Sequence, residues 1–161
     1  MIHKQKGVGL VEVMVALILL SIAVLGFVAL QIRAVAATNE ANMNVQAINI
    51  ARDLAERMRM NRDGLTAFKD VVSAPTKCAN AFCSAHEMAQ YDYAQVKARA
   101  SRLGMGINIL DCQGATLTRK CIYVAWEATT ATDGTSRTDC TNGTAYIPNA
   151  KCIILEVFND G

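Results

Sequence analysis

An acidic residue interrupts an otherwise apolar run near the start of this sequence. Residues 8–32 are VGLVEVMVALILLSIAVLGFVALQI, and Glu12 is the fifth of them. If the chain is cut between Gly7 and Val8, the new α-amine lies four residues, about 6 Å along a helix, from Glu12. A charge in apolar surroundings is tolerated when it is paired and is costly when it is alone. The spacing therefore favours pairing of an amine with a carboxylate, within one subunit or between two.

Six cysteines form a second set of residues with chemistry of their own. They are even in number and lie outside the apolar run, which suggests that their part of the chain lives where disulfides persist. The sequence does not choose among the possible pairings. We expect nearest-neighbour pairing, which gives Cys78–Cys83, Cys112–Cys121 and Cys140–Cys152. A zinc site is the rival hypothesis, but no C-x-x-C pair is present and the histidines are His3 and His86 alone. We therefore expect no metal.

The net charge argues against binding of a nucleic acid, and the motif content argues against catalysis. The formal net charge is +2, with 16 Lys and Arg against 14 Asp and Glu, and Lys4 and Lys6 supply the excess. The remainder is near neutral, which disfavours a nucleic acid bound by bulk charge, although a local basic patch stays possible. The sequence has no glycine-rich phosphate loop, H-E-x-x-H or G-x-S-x-G motif, and its acids Glu87, Asp92 and Asp111 are scattered. We expect no enzyme, no catalytic residue and no cofactor.

Three interpretations account for the apolar run. Its 25 residues span roughly 37 Å as a helix, enough to cross a membrane, and the basic residues ahead of it favour a cytoplasmic N-terminus. A secretory signal could be cut after Ala34-Val35-Ala36, but its apolar region is usually much shorter. A plain anchor leaves Glu12 unexplained, since a carboxylate at mid-membrane costs roughly 2.5–3.5 kcal/mol. Only a cut after Gly7 accounts for residues 1–7 as a basic leader peptide, for Gly7 and for Glu12 together.

One long helix is expected to carry these residues. Residues 8–33 form its membrane or assembly half, and residues 34–63 continue it as an amphipathic half that stops at Asp63-Gly64. The predicted apolar face of the second half consists of Ala34, Ala37, Ala41, Val45, Ile48, Ala55 and Met58. The arginines near the end of the helix either form a solvated terminus or fix contacts to the rest of the chain or to a neighbouring subunit.

Residues 64–161 are predicted to fold as a small, disulfide-containing head. Ser84 and Glu87 have capping-box spacing ahead of a helix that Gly104 ends. Strand-forming segments follow at residues 107–112, 120–130 and 151–158, with turns at Asp133-Gly134 and Asn142-Gly143. The aromatic residues Tyr91, Tyr93, Trp126 and Tyr146 are expected to pack in the core or sheet, with an exposed binding patch as the alternative. The pattern predicts an α+β ladle, a long helix against an antiparallel sheet of three or four strands.

The start of the chain resembles a known family. KG followed by VGLVEVMVALILL is similar to the class III signal of type IV pilins and type II secretion pseudopilins. The resemblance implies that a prepilin peptidase cuts between Gly7 and Val8, that Val8 is then N-methylated, and that Glu12 is the assembly carboxylate. It also implies the pilin fold, with the long helix packed on the sheet of the head.

Two further segments resemble the PilV group of minor pilins. They are LSIAVLGFVALQ at residues 20–31 and ARDLAERMRMNRDG at residues 51–64. The resemblance implies a low-abundance subunit that takes part in pilus initiation and joins the tip complex. The implied partners are other minor pilins and the major pilin through the first helix, the prepilin peptidase and the inner-membrane assembly platform.

The same resemblance implies a location. Before assembly the chain would cross the inner membrane once, with a cytoplasmic N-terminus and a periplasmic head, and after assembly it would lie in the pilus at the cell surface. Two alternatives stay open at this point. One is a minor pseudopilin of a type II secretion system, and the other is a pilus-mounted adhesin or DNA-uptake module, for which a nucleic-acid partner is undecided.

Overall fold

The computed structural model describes residues 9–71, 73–114 and 119–157. The chain divides into two compact units, Met1–Ala41 and Asn42–Gly161. The first helix, α1, spans Leu10–Met60 and contributes residues to both. Each unit is described by itself below.

The part of α1 in the second unit buries one face. Its buried residues recur at helical spacing and are Ala47, Ile50, Ala51, Leu54, Ala55 and Met58. Of the predicted apolar face, Ala55 and Met58 are buried, but Val45 and Ile48 are 57% and 37% exposed. Its remaining members, Ala34, Ala37 and Ala41 of the first unit, are exposed as well. The prediction was wrong there because periodicity identifies an apolar stripe on a helix but does not show which part of that stripe the rest of the fold covers.

The helix ends at Met60, before the expected stop at Asp63-Gly64. A short 3₁₀ helix, Arg62–Ala67, follows directly, and a second one spans Thr76–Ala79. Gly64 serves close packing rather than helix termination. A Cβ at this position would lie 2.4 Å from the backbone oxygen of Ala85, so only glycine allows the approach.

Helix α2 spans Ala85–Arg102 and begins at the predicted capping box. The Ser84 hydroxyl accepts from the Glu87 N–H at 3.3 Å, and the Glu87 carboxylate accepts from the Ser84 N–H at 3.0 Å. Gly104 follows the helix with a φ of +71°, which favours glycine. The buried Tyr93 donates its hydroxyl to the Ile107 carbonyl at 3.3 Å and so ties α2 to the first strand.

Six strands form two sheets. They are β1 (Met105–Asp111), β2 (Lys120–Trp126), β3 (Thr130–Asp133), β4 (Asp139–Asn142), β5 (Ala145–Tyr146) and β6 (Cys152–Val157). The first sheet is antiparallel in the order β1-β2-β6, with Ile107 opposite Val124 and Tyr123 opposite Ile154. The strand-forming segments expected from the sequence supply this sheet.

The second sheet has the order β3-β4-β5 and was not predicted. Its β3–β4 pair is parallel, and β4 pairs with β5 in antiparallel fashion. The segment expected as one strand over residues 120–130 breaks after Trp126, where Glu127 has a φ of +57°. Strand propensity did not reveal this break, because the backbone turn there places a non-glycine residue in the left-handed region.

Strand β2 is buried on both faces. Ile122, Val124 and Trp126 belong to the core formed with α1 and α2. Cys121, Tyr123 and Ala125 face the opposite way and pack with Ala131 and Cys140 of the second sheet. The head therefore has its main sheet between two helices and a smaller sheet, and the chain has the predicted α+β class.

Candidate assembly site

The α1 residues of the first unit form a continuous exposed apolar surface. Large apolar side chains from Leu10 to Val35 are between 43% and 77% exposed. An 18-residue window of this helix has a mean hydropathy of 3.0, and α1 is the one helix among the described residues that is long and apolar enough to cross a membrane. An exposed surface of this size needs lipid or other helices to cover it.

Two hydroxyl groups along this part of α1 bond to the backbone of the helix itself. The Ser21 hydroxyl donates to the Leu17 carbonyl at 2.7 Å, and the Thr38 hydroxyl donates to the Ala34 carbonyl at 2.9 Å. Such bonds let a hydroxyl enter apolar surroundings without an unpaired donor.

Glu12 differs from those residues. It lies in the first turn of α1, where its backbone N–H donates to the Gly9 carbonyl at 2.9 Å. Its side chain is exposed, and no described residue pairs with its carboxylate. A carboxylate suits the positive end of the helix dipole. In apolar surroundings, however, it would still need a cation close by.

The amine that we expect to pair with this carboxylate would belong to Val8, outside the described part of the chain. Gly7 and Val8, the predicted cleavage site and methylated residue, lie outside the described residues. The cut, the methylation and the pairing of the amine with Glu12 therefore stay predictions.

Two arginines at the end of α1 make different kinds of contact. Arg57 donates from Nε to Asp53 at 2.9 Å and from Nη1 to Asp92 of α2 at 2.5 Å. Arg59 pairs with Glu56 one turn earlier, and both side chains are more than half exposed. One arginine thus fixes a contact between helices, and the other belongs to a solvated helix end.

The scattered acids and the head histidine have structural roles or face solvent. The Glu87 carboxylate lies 2.6 Å from Lys77. The hydrogen bond from Lys77, followed by those from Ser84, lowers the pKa of Glu87 to about 2. Asp111 pairs with Lys120 at 2.5 Å, and His86 is exposed. The described residues contain no group of three or more His, Cys, Asp or Glu side chains that could hold a metal ion.

The six cysteines form three disulfides in the second unit. The bonded pairs are Cys78–Cys83, Cys112–Cys121 and Cys140–Cys152, which are the pairs given by nearest-neighbour pairing. The second joins the end of β1 to β2, and the third joins β4 to β6. The second therefore links two paired strands of the first sheet, and the third links the two sheets.

Two features of the head were missed by sequence reasoning. One is the contact of Arg57 with Asp92, and the other is a cleft between the two sheets lined by Tyr123 and Tyr146. The AERMR segment singled out Arg57 but not its partner. The exposure of Tyr146, 55%, also departs from the expectation that the aromatic residues all pack inside.

Comparison with protein families agrees with this arrangement. A model of the prokaryotic N-terminal methylation motif matches residues 2–28, which include Gly7, Val8 and Glu12. A model described as type IV pilin Tt1218 matches residues 29–94, from the apolar helix to the middle of α2. No curated protein and no solved structure matches the chain.

The fold and the two family matches support a class of protein built on an N-terminal methylation motif and a long apolar helix. The chain is a type IV pilin-like protein. This family is structural rather than enzymatic. Its members generally interact with other pilins and with the prepilin peptidase, and the apolar helix fits a pilin that is anchored in a membrane and later enters pili.

Proposed function

We propose that this protein is a minor pilin of a type IV pilus, of the PilV group, that takes part in assembly initiation and in the tip complex. A prepilin peptidase removes residues 1–7 and the new N-terminus at Val8 is methylated. Before assembly the chain crosses the inner membrane once with its head in the periplasm. Its partners are other minor pilins, the major pilin and the inner-membrane assembly platform.

The observation that carries this proposal is the Glu12 carboxylate, which pairs with no described residue and lies on an exposed apolar helix. Lipid chains or the apolar side chains of neighbouring helices can cover the surface around it, but neither neutralises a carboxylate. The amine of Val8, created by cleavage, supplies the missing cation at the distance of one helical turn. The same pair between neighbouring subunits sets the register in which their helices pack.

The minor role has a separate basis. The segments at residues 20–31 and 51–64 carry the resemblance to the PilV group. In this chain the second segment includes Arg57, which contacts Asp92, and Asn61, which donates to the Ala85 carbonyl at 2.7 Å. The motif thus contributes to holding α2 against the end of α1.

The first experiment is an intact-mass measurement of the full chain expressed with and without a prepilin peptidase. We expect loss of residues 1–7 and a gain of one methyl group only with the peptidase. Gly7→Val should block cleavage, whereas Gly9→Ala should be cut normally, because a Cβ at Gly9 meets no atom within 4 Å. An uncut chain would indicate a plain anchor, and a cut near Ala36 would indicate a secreted domain.

A deletion strain separates the pilus from a secretion pseudopilus, which would use the same helix chemistry. We expect fewer pili and unchanged secretion of exported enzymes. Loss of secretion with normal piliation would assign the protein to a type II secretion system instead.

A further inference from the structure

The two sheets of the head leave an open cleft between them. The second sheet is shorter than the first, so it covers Ala125 and Tyr123 but not the whole outer face of β2 and β6. The uncovered part is a cavity of about 340 Å³, here called the inter-sheet cleft, at the lower end of the roughly 300–1,000 Å³ of small-molecule sites. Its polar and aromatic lining includes Gln113, Arg119, Tyr123, Thr144, Tyr146 and Glu156.

The walls of the inter-sheet cleft are held covalently. Cys112–Cys121 belongs to one wall, and Cys140–Cys152 clamps the second sheet to the first beside it. The turns at the rim also approach closely, since a Cβ on Gly114 would lie 2.6 Å from the Thr144 methyl group. A site that is shaped before its ligand arrives loses little entropy on binding.

The floor of the cleft carries buried hydroxyl groups. Tyr123 and Thr141 are each 2% exposed, and their oxygens lie 3.5 Å apart, at the long limit of a hydrogen bond. The Thr141 hydroxyl donates to Asp133 at 2.7 Å. The Tyr123 hydroxyl therefore keeps capacity for a shorter bond to a group in the cleft.

The opening of the inter-sheet cleft carries an aromatic side chain and an ion pair whose charges cancel. Tyr146 is 55% exposed and lines the cleft. Arg119 pairs with Glu156 on the same wall, so the charges in the lining cancel. Anionic ligands such as nucleic acid, and cationic ligands, find no net opposite charge here. A lipid chain would leave the buried Tyr123 hydroxyl with only its long bond to Thr141.

We propose that the inter-sheet cleft binds a neutral saccharide. One face of a pyranose ring is apolar and stacks on Tyr146, while its hydroxyls bond to the floor and to Arg119, Glu156 and Gln113. These groups supply both donors and acceptors, as a polyhydroxylated ligand requires. The proposal concerns the head alone and does not depend on the role of Glu12 in assembly.

The test uses the full chain in alkylphosphocholine micelles, because glycosidic detergents would compete. The probes are glucose, galactose, mannose, N-acetylglucosamine and lactose, each titrated to about 50 mM, with saturation-transfer NMR as the readout. We expect at least one to bind in the millimolar range. Tyr146→Ala should weaken binding about tenfold through loss of the aromatic face. Gln113→Ala, a milder change at an exposed residue, should weaken it about threefold.

Phe82→Ala is the matched control, because Phe82 is an exposed aromatic residue (95%) that does not line the cleft. Its affinity should equal that of the unaltered chain. Absence of binding by all five sugars would overturn the proposal, as would binding that Tyr146→Ala leaves unchanged. Binding of a single-stranded oligonucleotide in place of the sugars, lost in Tyr146→Ala, would overturn the assignment of ligand class.

Discussion

Arg57 and Asp92 join the end of α1 to α2 through a direct hydrogen-bonded ion pair of 2.5 Å. Asp53 receives a second bond from Arg57 at 2.9 Å and lies 3.4 Å from Arg99 of α2. Burial by itself lowers the pKa of Arg57, but the bonds to Asp53 and Asp92 outweigh it and raise the pKa above its ordinary value. The arginine thus stays charged and links two helices that are far apart in the sequence.

Replacing Arg57 should loosen this link. Arg57→Ala leaves Asp92, which is largely buried, without its cation, and we expect a loss of about 1 kcal/mol in the free energy of unfolding after allowance for solvent screening. Arg59→Ala is the control, because the exposed Arg59–Glu56 pair should contribute less than about 0.5 kcal/mol. Urea unfolding of the head can be followed by the fluorescence of Trp126, the single tryptophan, which is buried. Equal losses in both variants would refute the link.

Glu87 should make the start of α2 sensitive to acid. The pKa of Glu87 is about 2, well below its ordinary value, because Lys77 and Ser84 hydrogen-bond to its charged form. A lowered pKa contributes stability that is present above about pH 4.5 and is lost as the pH falls through about 2. Glu87→Gln should therefore flatten the pH dependence of unfolding in this window. An unchanged profile would mean that the bonds at Glu87 do not persist in solution.

Cys140–Cys152 should stabilise the head more than Cys78–Cys83. It closes the longer loop, with a sequence separation of 12 against 5, and Cys140 is fully buried. Replacing both residues of Cys140–Cys152 with alanine should cost about 3 kcal/mol, and the same change at Cys78–Cys83 about 2 kcal/mol. Thermal unfolding of the two double variants, followed by Trp126 fluorescence, tests the order. The reverse order would show that loop closure and burial do not govern these bonds.

Glu12→Ala should reduce incorporation of the protein into pili. Removing one member of a charge pair in apolar surroundings leaves the other uncompensated, and we expect a loss of about tenfold or more. Ser21→Ala is the control, because the Ser21 hydroxyl bonds only within its own helix. Immunoblots of sheared pili, normalised to the protein in the membrane, give the ratio. Normal incorporation of Glu12→Ala would refute the pairing of the amine with the carboxylate.

Local signals in the sequence were sufficient for several elements. The apolar run and its amphipathic continuation predict one long helix, and the structure has it as Leu10–Met60. Ser84 and Glu87 predict the start of α2 because the capping box involves residues only three apart. The strands of the first sheet follow from runs of strand-forming residues. Each of these signals operates between neighbours in the chain.

Contacts between distant segments were decided by the tertiary structure alone. Arg57 contacts Asp92, which lies 35 residues further along the chain. Thr130 lies opposite Asp139 in the parallel pairing of β3 with β4, which the pattern of strand-forming residues did not predict. The inter-sheet cleft exists because the second sheet is too short to cover the first. The amino-acid sequence by itself determined the class of protein, since the N-terminal methylation motif and the long helix depend on spacing along one segment. Which side chains meet in the head depends on packing of segments whose relative positions no local propensity specifies.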